Sequence, residues 1–314
     1  MIRIKEKILK LIESISNVNR LNDMESKLKH HVSFSLLQQK MIDSVLTSQE
    51  KGVVDESEDG EQYVVSLTTH GARIERVFQA IESIFLQSRK ANKVVLYLSD
   101  KEFQNKELPI ILQKQMERGL LIRYVKDLGP YTKLIPALRD FPEANIITID
   151  DDHIYPVTLI DRLIRAHHTN PISVCSVNAC LINIKEGVSS HPQNPFSLYY
   201  PETYTSSPHH LALGYAGILY PPHTLPEEVF NENIFHRLCP RADDIWFKAM
   251  ELLQGTPVLR LPTSKQEMMN FWNSEDPTYQ NMGLKNVNVY QGKNYDQLKA
   301  VFDHYKLYDK LIEQ

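Results

Sequence analysis

The sequence predicts an α/β chain built on a mainly parallel sheet, and three observations carry that reading. Runs of β-branched residues alternate with runs of helical period between residues 63 and 156. Polar residues gather where each strand-like run stops. The composition, 42% hydrophobic and 24% charged over 314 residues, is that of an ordinary globular chain with material for a sizeable core. Strand–helix–strand order produces parallel pairs through crossovers, and ligands of such open sheets collect at the carboxyl ends of the strands.

From Ile4, the apolar residues Ile8, Leu11, Ile15 and Val18 follow in steps of four and three, the spacing of a coiled-coil seam, and Leu21, Met24, Leu28 and Val32 extend it loosely. Helical as far as Leu46, this segment would be about 65 Å long at roughly 1.5 Å per residue. Residues 1–52 are therefore expected to pack, either as the contact of a homo-oligomer or as a hairpin folded onto the same chain. Acidic Glu6, Glu13, Asp23 and Glu25 weigh against a membrane-lying amphipathic helix. Lys and Glu interrupt the first apolar residues, so no signal-peptide core is read, and no apolar run has spanning length. The expectation is a cytoplasmic protein, with peripheral association at the inner face of a membrane left open.

The acidic stretch VVDESEDGEQ, 53–62, reads as a linker, and 63–314 as the main domain. YVVSLTTH is the first strand, and RIERVFQAIESIFLQ is a helix carrying Ile74, Phe78, Ile81 and Phe85 on one face. KVVLYLSD, LLIRYVKD and NIITID are the next strands, separated by helical LPIILQKQMERG and YTKLIPALRDF. Beyond residue 156, VTLIDRLIRAHH is a helix, SVCSVNACLINI a strand or strand pair, 190–210 a long Pro-, Ser-, Tyr- and His-rich loop, and RADDIWFKAMELLQ an amphipathic helix.

A formal net charge of -4 gives no general reason to bind nucleic acid. Three cysteines without a CxxC pair indicate neither a disulfide framework nor a zinc ribbon, and a reducing compartment fits them. The pairs His167/His168 and His209/His210 lack the i, i+4 spacing of a zinc hydrolase.

The fourth strand ends on Asp150, Asp151 and Asp152. Two like charges about 4 Å apart repel by about 4 kcal/mol at the effective dielectric near a protein surface. Bound Mn2+ or Mg2+ removes that cost, because hard cations take carboxylate oxygens together with phosphates. If strand geometry persists, Asp150 and Asp152 face one side together. The competing reading is an acidic turn capping the next helix.

The segments VVSLTTHGARI, VVLYLSD, DLGPYTKLIPAL, IITIDDDHIYP, GYAGILYPP and RADDIWF, in this order, resemble the landmarks of GT-A fold glycosyltransferases. They are most similar to bacterial family-2-like enzymes of surface polysaccharide synthesis. The resemblance spans roughly residues 62 to 275 and rests on order and spacing. It implies a Rossmann-like GT-A sheet and inverting, metal-dependent transfer. The sugar would pass from a nucleotide-sugar, a UDP-sugar by preference, to a glycan or lipid-linked acceptor. By position it assigns the nucleotide side to Ser66, Thr68, Thr69, His70, Arg73 and Asp100, and the diphosphate to Lys133. Asp150, with Asp151 beside it, would meet the sugar donor, and Asp152 and Asp150 the metal. Asp244, with Asp243 beside it, would be the catalytic base, and Gly214, Tyr215, Gly217 and Trp246 would meet the acceptor. A third metal ligand is open among His153, His209, His210 and His304.

Each assignment has a plainer counterpart. Thr68 and Thr69 suit loop capping, Asp100 a solvated turn, Lys133 a surface position, and Asp243 and Asp244 a helix N-terminus; Tyr131, Tyr215 and Trp246 suit the core. Two other functions stay open. A nucleotidyltransferase would carry a Gly-rich basic loop, of which LTTHGARIER is a weak version, and a non-catalytic scaffold would keep only a degenerate transferase domain.

Overall fold

The computed structural model describes residues 24, 25, 28, 29, 32–185, 188, 189, 196–269, 272, 273 and 293–312. The chain divides into two compact units, Met1–Ser48 and Gln49–Gln314. In the first, a helix α1 covers 32–47, and the run from Ile4 to Leu21 lies outside the described residues.

The second unit opens with the strands the periodicity predicts: β1 (Tyr63–Thr68), β2 (Lys93–Ser99), β3 (Leu120–Val125) and β4 (Asn145–Thr148). Between them run α2 (Phe78–Phe85), α3 (Asp100–Phe103), α4 (Ile110–Glu117) and α5 (Ile135–Asp140). Short 3-10 turns, Gly71–Glu75 and Gly129–Lys133, precede α2 and α5. Then come β5 (His153–Ile154), α6 (Leu159–Thr169), β6 (Val174–Ser176), β7 (Ala179–Ile182), β8 (Ile184–Lys185), β9 (Val188–Ser189) and β10 (Phe196–Leu198). The chain continues through β11 (Thr205–Ser207), β12 (His210–Ala212), β13 (Ile218–Tyr220), α7 (Glu232–Leu238), α8 (Asp243–Gln254) and β14 (Val258–Arg260).

Eight strands form one sheet in the order β11-β14-β6-β13-β4-β1-β2-β3. β1 pairs in parallel with β2 and β4, β2 with β3, and β6 with β14. β13 runs antiparallel between β4 and β6, and β11 closes one edge antiparallel to β14. This is the mainly parallel α/β architecture the alternation predicts. Strand β1 is buried throughout except at Thr68, as expected for a strand covered on both faces.

After β3 the order reverses direction, and that reversal places the site. The chain builds β1, β2 and β3 outward, then returns to lay β4 on the other side of β1. Such a switch point opens a crevice beyond the carboxyl ends of the two central strands. Because β13 is antiparallel, with Ile218 opposite Thr148, the loop that leads into it arrives at the same edge.

One expectation changes. Residues 190–210 are not one loop, since 196–198 and 205–207 are strands, and Thr205–Ser207 pairs with Val258–Arg260. Strands of three residues leave no period to read, and their partners lie far away in sequence. The acidic stretch 53–62 carries no helix or strand, and its side chains reach the main domain. Asp59 meets Arg89 at 2.5 Å, Glu61 meets His167 at 3.0 Å, and the Tyr63 hydroxyl lies between the two carboxylates, 2.9 Å from Asp59 and 3.1 Å from Glu61.

Candidate active site

At the switch point the acidic triplet lies just past β4, in a turn rather than in extended strand. Asp151 points inward. Its carboxylate accepts the Thr69 hydroxyl at 2.5 Å and meets Arg73 Nη2 at 2.5 Å, so the loop after β1 is fastened to the turn after β4. Arg73 Nη2 also reaches Asp152 at 2.8 Å, and Asp152 binds His153 Nδ1 at 2.6 Å. The side chains of Asp150 and Asp152 remain 31% and 23% exposed against 6% for Asp151. The two outer carboxylates are thus the ones turned toward solvent.

Lys133 joins this turn to the second acidic pair. The 3-10 turn Gly129–Lys133 is anchored by Tyr131, whose ring stacks on Phe235 at 4.0 Å and whose hydroxyl donates to the Cys239 carbonyl. Two residues on, the Lys133 ammonium sits 2.8 Å from Asp150 and 3.1 Å from Asp243. Asp243 and Asp244 open α8, where the partial positive charge of a helix N-terminus favours carboxylates. Asp244 in turn accepts the Gly214 amide at 3.3 Å. A Cβ on Gly214 would lie 2.7 Å from Lys133 Nζ and 3.0 Å from Asp244 Oδ1, so a larger residue there would displace the ammonium. Gly217, at φ +96°, turns the same loop in a conformation open to glycine.

The electrostatics follow from burial and crowding. Burial works against the charge of Lys133, but Asp150, Asp243 and Asp244 outweigh it and hold its pKa well above the usual lysine range. Burial, then repulsion from Asp243, raises Asp244 above the ordinary carboxylate range; burial raises Asp243 too, with Lys133 pulling against it. Asp151 is raised by burial against the pull of Arg73. For Asp152 burial is outweighed by the His153 bond and by the charges of His153 and Arg73, and its pKa falls. Five carboxylates face Lys133, Arg73 and His153, so negative charge is in surplus.

That surplus and the hard-oxygen chemistry of Asp150 and Asp152 fit Mn2+ or Mg2+. Among the described residues no three His, Cys, Asp or Glu side chains converge to hold a metal ion alone. The fit is to an ion held by two carboxylates that completes its shell with phosphate oxygens and water.

The structure therefore brings Thr69, Arg73, Lys133, Asp150, Asp151, Asp152, Gly214, Asp243 and Asp244 into one network. Tyr215 borders it, its ring 5.4 Å from His153. Other candidates stand apart in their contacts. The Thr68 hydroxyl donates to the Tyr97 carbonyl, Ser66 donates to the Lys133 carbonyl, and Asp100 accepts the Lys101 amide at the start of α3. His70 is exposed beside that loop. Trp246 is fully buried, packed edge-on against Phe235 and Tyr305, and donates to the Val229 carbonyl; it offers no face to a sugar. His210 is buried between Tyr199 and the Val258 carbonyl, and His209 faces the Ile182 carbonyl. His304 lies on the helix Lys293–Tyr305.

Sequence reasoning passed over Tyr155 and Asn178. Asn178 donates to the Tyr215 hydroxyl, and Tyr155 reaches both Asp150 and Tyr215. The alternation in DDDHIYP offered a hint, since His153 and Tyr155 fall on one side of an extended stretch.

No family model and no curated protein sequence matches the chain. Among solved structures it is similar to mannosyltransferase PcManGT from Pyrobaculum calidifontis in complex with GDP-Man and Mn2+, at 13% identity and a TM-score of 0.42, over 74% of this chain and 64% of that one. It is similar to S. aureus TarS 1-349 at 10% identity and a TM-score of 0.39, over 65% and 58% of the two chains. It is also similar to a 4-diphosphocytidyl-2C-methyl-D-erythritol synthase at 11% identity and a TM-score of 0.38, over 71% and 97%. The chain spans less than two thirds of the length of the first two. By its own geometry it is an α/β protein with an acidic, lysine-centred site at the switch point of its sheet.

Proposed function

We propose that the chain is a metal-dependent, inverting glycosyltransferase of the GT-A kind. It would move a sugar from a nucleotide-sugar, a UDP-sugar by preference, to a hydroxyl of a glycan or lipid-linked acceptor in surface polysaccharide synthesis. One observation carries the reading: Lys133 lies between Asp150 and Asp243, so two acidic motifs ninety residues apart share one cation at the carboxyl edge of the sheet.

In this reading the sugar donor lies in the crevice between the ends of β1 and β4, walled by Thr69, Arg73 and Asp151. Asp150 and Asp152 would hold Mn2+ or Mg2+, which when bound offsets negative charge on the departing nucleotide diphosphate. The acceptor approaches along Gly214 and Tyr215. Its hydroxyl oxygen attacks the anomeric carbon as the bond to the diphosphate oxygen breaks, and its proton passes to Asp244. Burial and Asp243 raise the Asp244 pKa to about 8, which makes it a stronger proton acceptor once ionised, and a general base works best with a pKa near the operating pH. Asp243 keeps Lys133 in place beside it.

The test is a panel of UDP-, GDP- and CMP-sugars with Mn2+, read by nucleotide release and thermal shift. Release from one of them, with Asp152→Asn weakening metal-dependent donor binding at least about tenfold, is expected. Asp244→Asn should lower transfer by about 100-fold or more while sparing that binding, the usual scale for loss of a general base. A panel that gives neither release nor thermal shift removes the reading.

A further inference from the structure

We infer that Tyr155 is a positioning residue that couples the donor side of the site to the acceptor side, an inference that rests on the glycosyltransferase reading. Tyr155 is 3% exposed, and nothing in the proposed chemistry uses it directly. Its hydroxyl accepts the Asp150 amide at 2.8 Å and lies 3.0 Å from the Tyr215 carbonyl and 3.4 Å from that of Asp150. A hydroxyl has a single proton to give. With the Asp150 amide arriving as donor, that proton goes to the nearer carbonyl, Tyr215.

One buried oxygen therefore spans two loops that come together from opposite directions. The turn after β4 carries Asp150, a metal and donor residue in the proposed mechanism. The loop before β13 carries Gly214, whose amide holds Asp244, and Tyr215, whose ring stands 5.4 Å from His153. A shift of the acidic turn on donor binding moves the Tyr155 hydroxyl, and through it the backbone that aims the base. The backbone of Tyr155 is fixed separately, its amide donating to Ser83 Oγ at 3.1 Å. Loss of the hydroxyl and loss of the anchor are therefore separable.

The assay compares wild type, Tyr155→Phe and Ser83→Ala with the sugar nucleotide that the panel identifies and Mn2+. It measures transfer, hydrolysis of the donor by water, and KM for donor and for acceptor. In Tyr155→Phe the ratio of hydrolysis to transfer is expected to rise at least about tenfold and acceptor KM to rise, with donor KM within about twofold of wild type. Ser83→Ala should lower the melting temperature and leave the ratio unchanged. An unchanged ratio in Tyr155→Phe, or an equal rise in Ser83→Ala, overturns the coupling.

Amide exchange of the wild-type chain provides a readout independent of any variant. Adding the donor nucleotide with Mn2+ should slow exchange across 213–217 as well as at Asp150, and protection of Asp150 alone overturns the inference. Failure of the broader reading looks different, since wild type would then release no nucleotide from any member of the panel.

Discussion

Replacing Lys133 by Met keeps an unbranched side chain one atom shorter and removes one buried charge. The ammonium lies 2.8 Å from Asp150 and 3.1 Å from Asp243, with its own side chain 9% exposed. The contacts are worth about 5–6 kcal/mol each by Coulomb's law at an effective dielectric of about 20, against which the desolvation of all three groups is set. Removing one partner of a buried pair costs about 3–5 kcal/mol, because the other charge is left uncompensated. Here two are left, with Asp244 behind them. For a unit of this size the melting temperature should fall by about 10 °C, at roughly 2–4 °C per kcal/mol. Urea unfolding at pH 7 measures the loss directly. The deficit should shrink as pH falls: without Lys133 the folded-state pKa values of Asp243 and Asp244 rise further, so the folded chain binds protons the unfolded chain does not. In Lys133→Met/Asp243→Asn part of the loss should return. A loss under about 1 kcal/mol, the scale of an exposed pair, or strict additivity in the double variant, would refute a shared buried cation.

Three further outcomes are expected. Gly214→Ala should cost about 1–3 kcal/mol, as overpacking does, and lower transfer more than tenfold, since the new methyl meets Lys133 Nζ at 2.7 Å; urea unfolding beside kinetics checks both. His210 is held neutral by burial, which depresses its pKa to about 4. Its contribution is complete above pH 6.5 and is lost as pH falls toward 4, about 3 kcal/mol at about 1.4 kcal/mol per pH unit. His210→Gln should flatten that limb of the stability profile. A chain beginning at Gln49, the first residue of the second unit, should show fewer protomers per particle by light scattering if the N-terminal unit makes the oligomer; an unchanged oligomeric state favours a hairpin.

What the sequence disclosed was local. Strands β1 to β4 and helices α2, α6 and α8 are long enough for their apolar residues to repeat, so periodicity located them. The acidic triplet and Lys133 were legible because carboxylates at a strand end and lysine at a helix start are locally unfavourable and call for a partner. What stayed hidden was pairing. Nothing near residues 218–220 says that they lie between β4 and β6, nor does anything near Arg73 say that it meets Asp151 and Asp152. Trp246 was misread as an acceptor residue because an aromatic after an acidic pair looks the same whether it faces a cleft or the core. Tyr155 was missed because a lone tyrosine beside isoleucine reads as packing, and its hydroxyl shows its use only after folding.

Tyr131 has a consequence for durability. Its ring is stacked within the central core and its hydroxyl is bonded to the Cys239 carbonyl, and Lys133 follows in the same short turn. The backbone that carries the ammonium is therefore tied to the aromatic layer beneath it and holds its place while that layer is intact. Heat inactivation should coincide with global melting instead of preceding it, so the working life of the site is that of the whole domain.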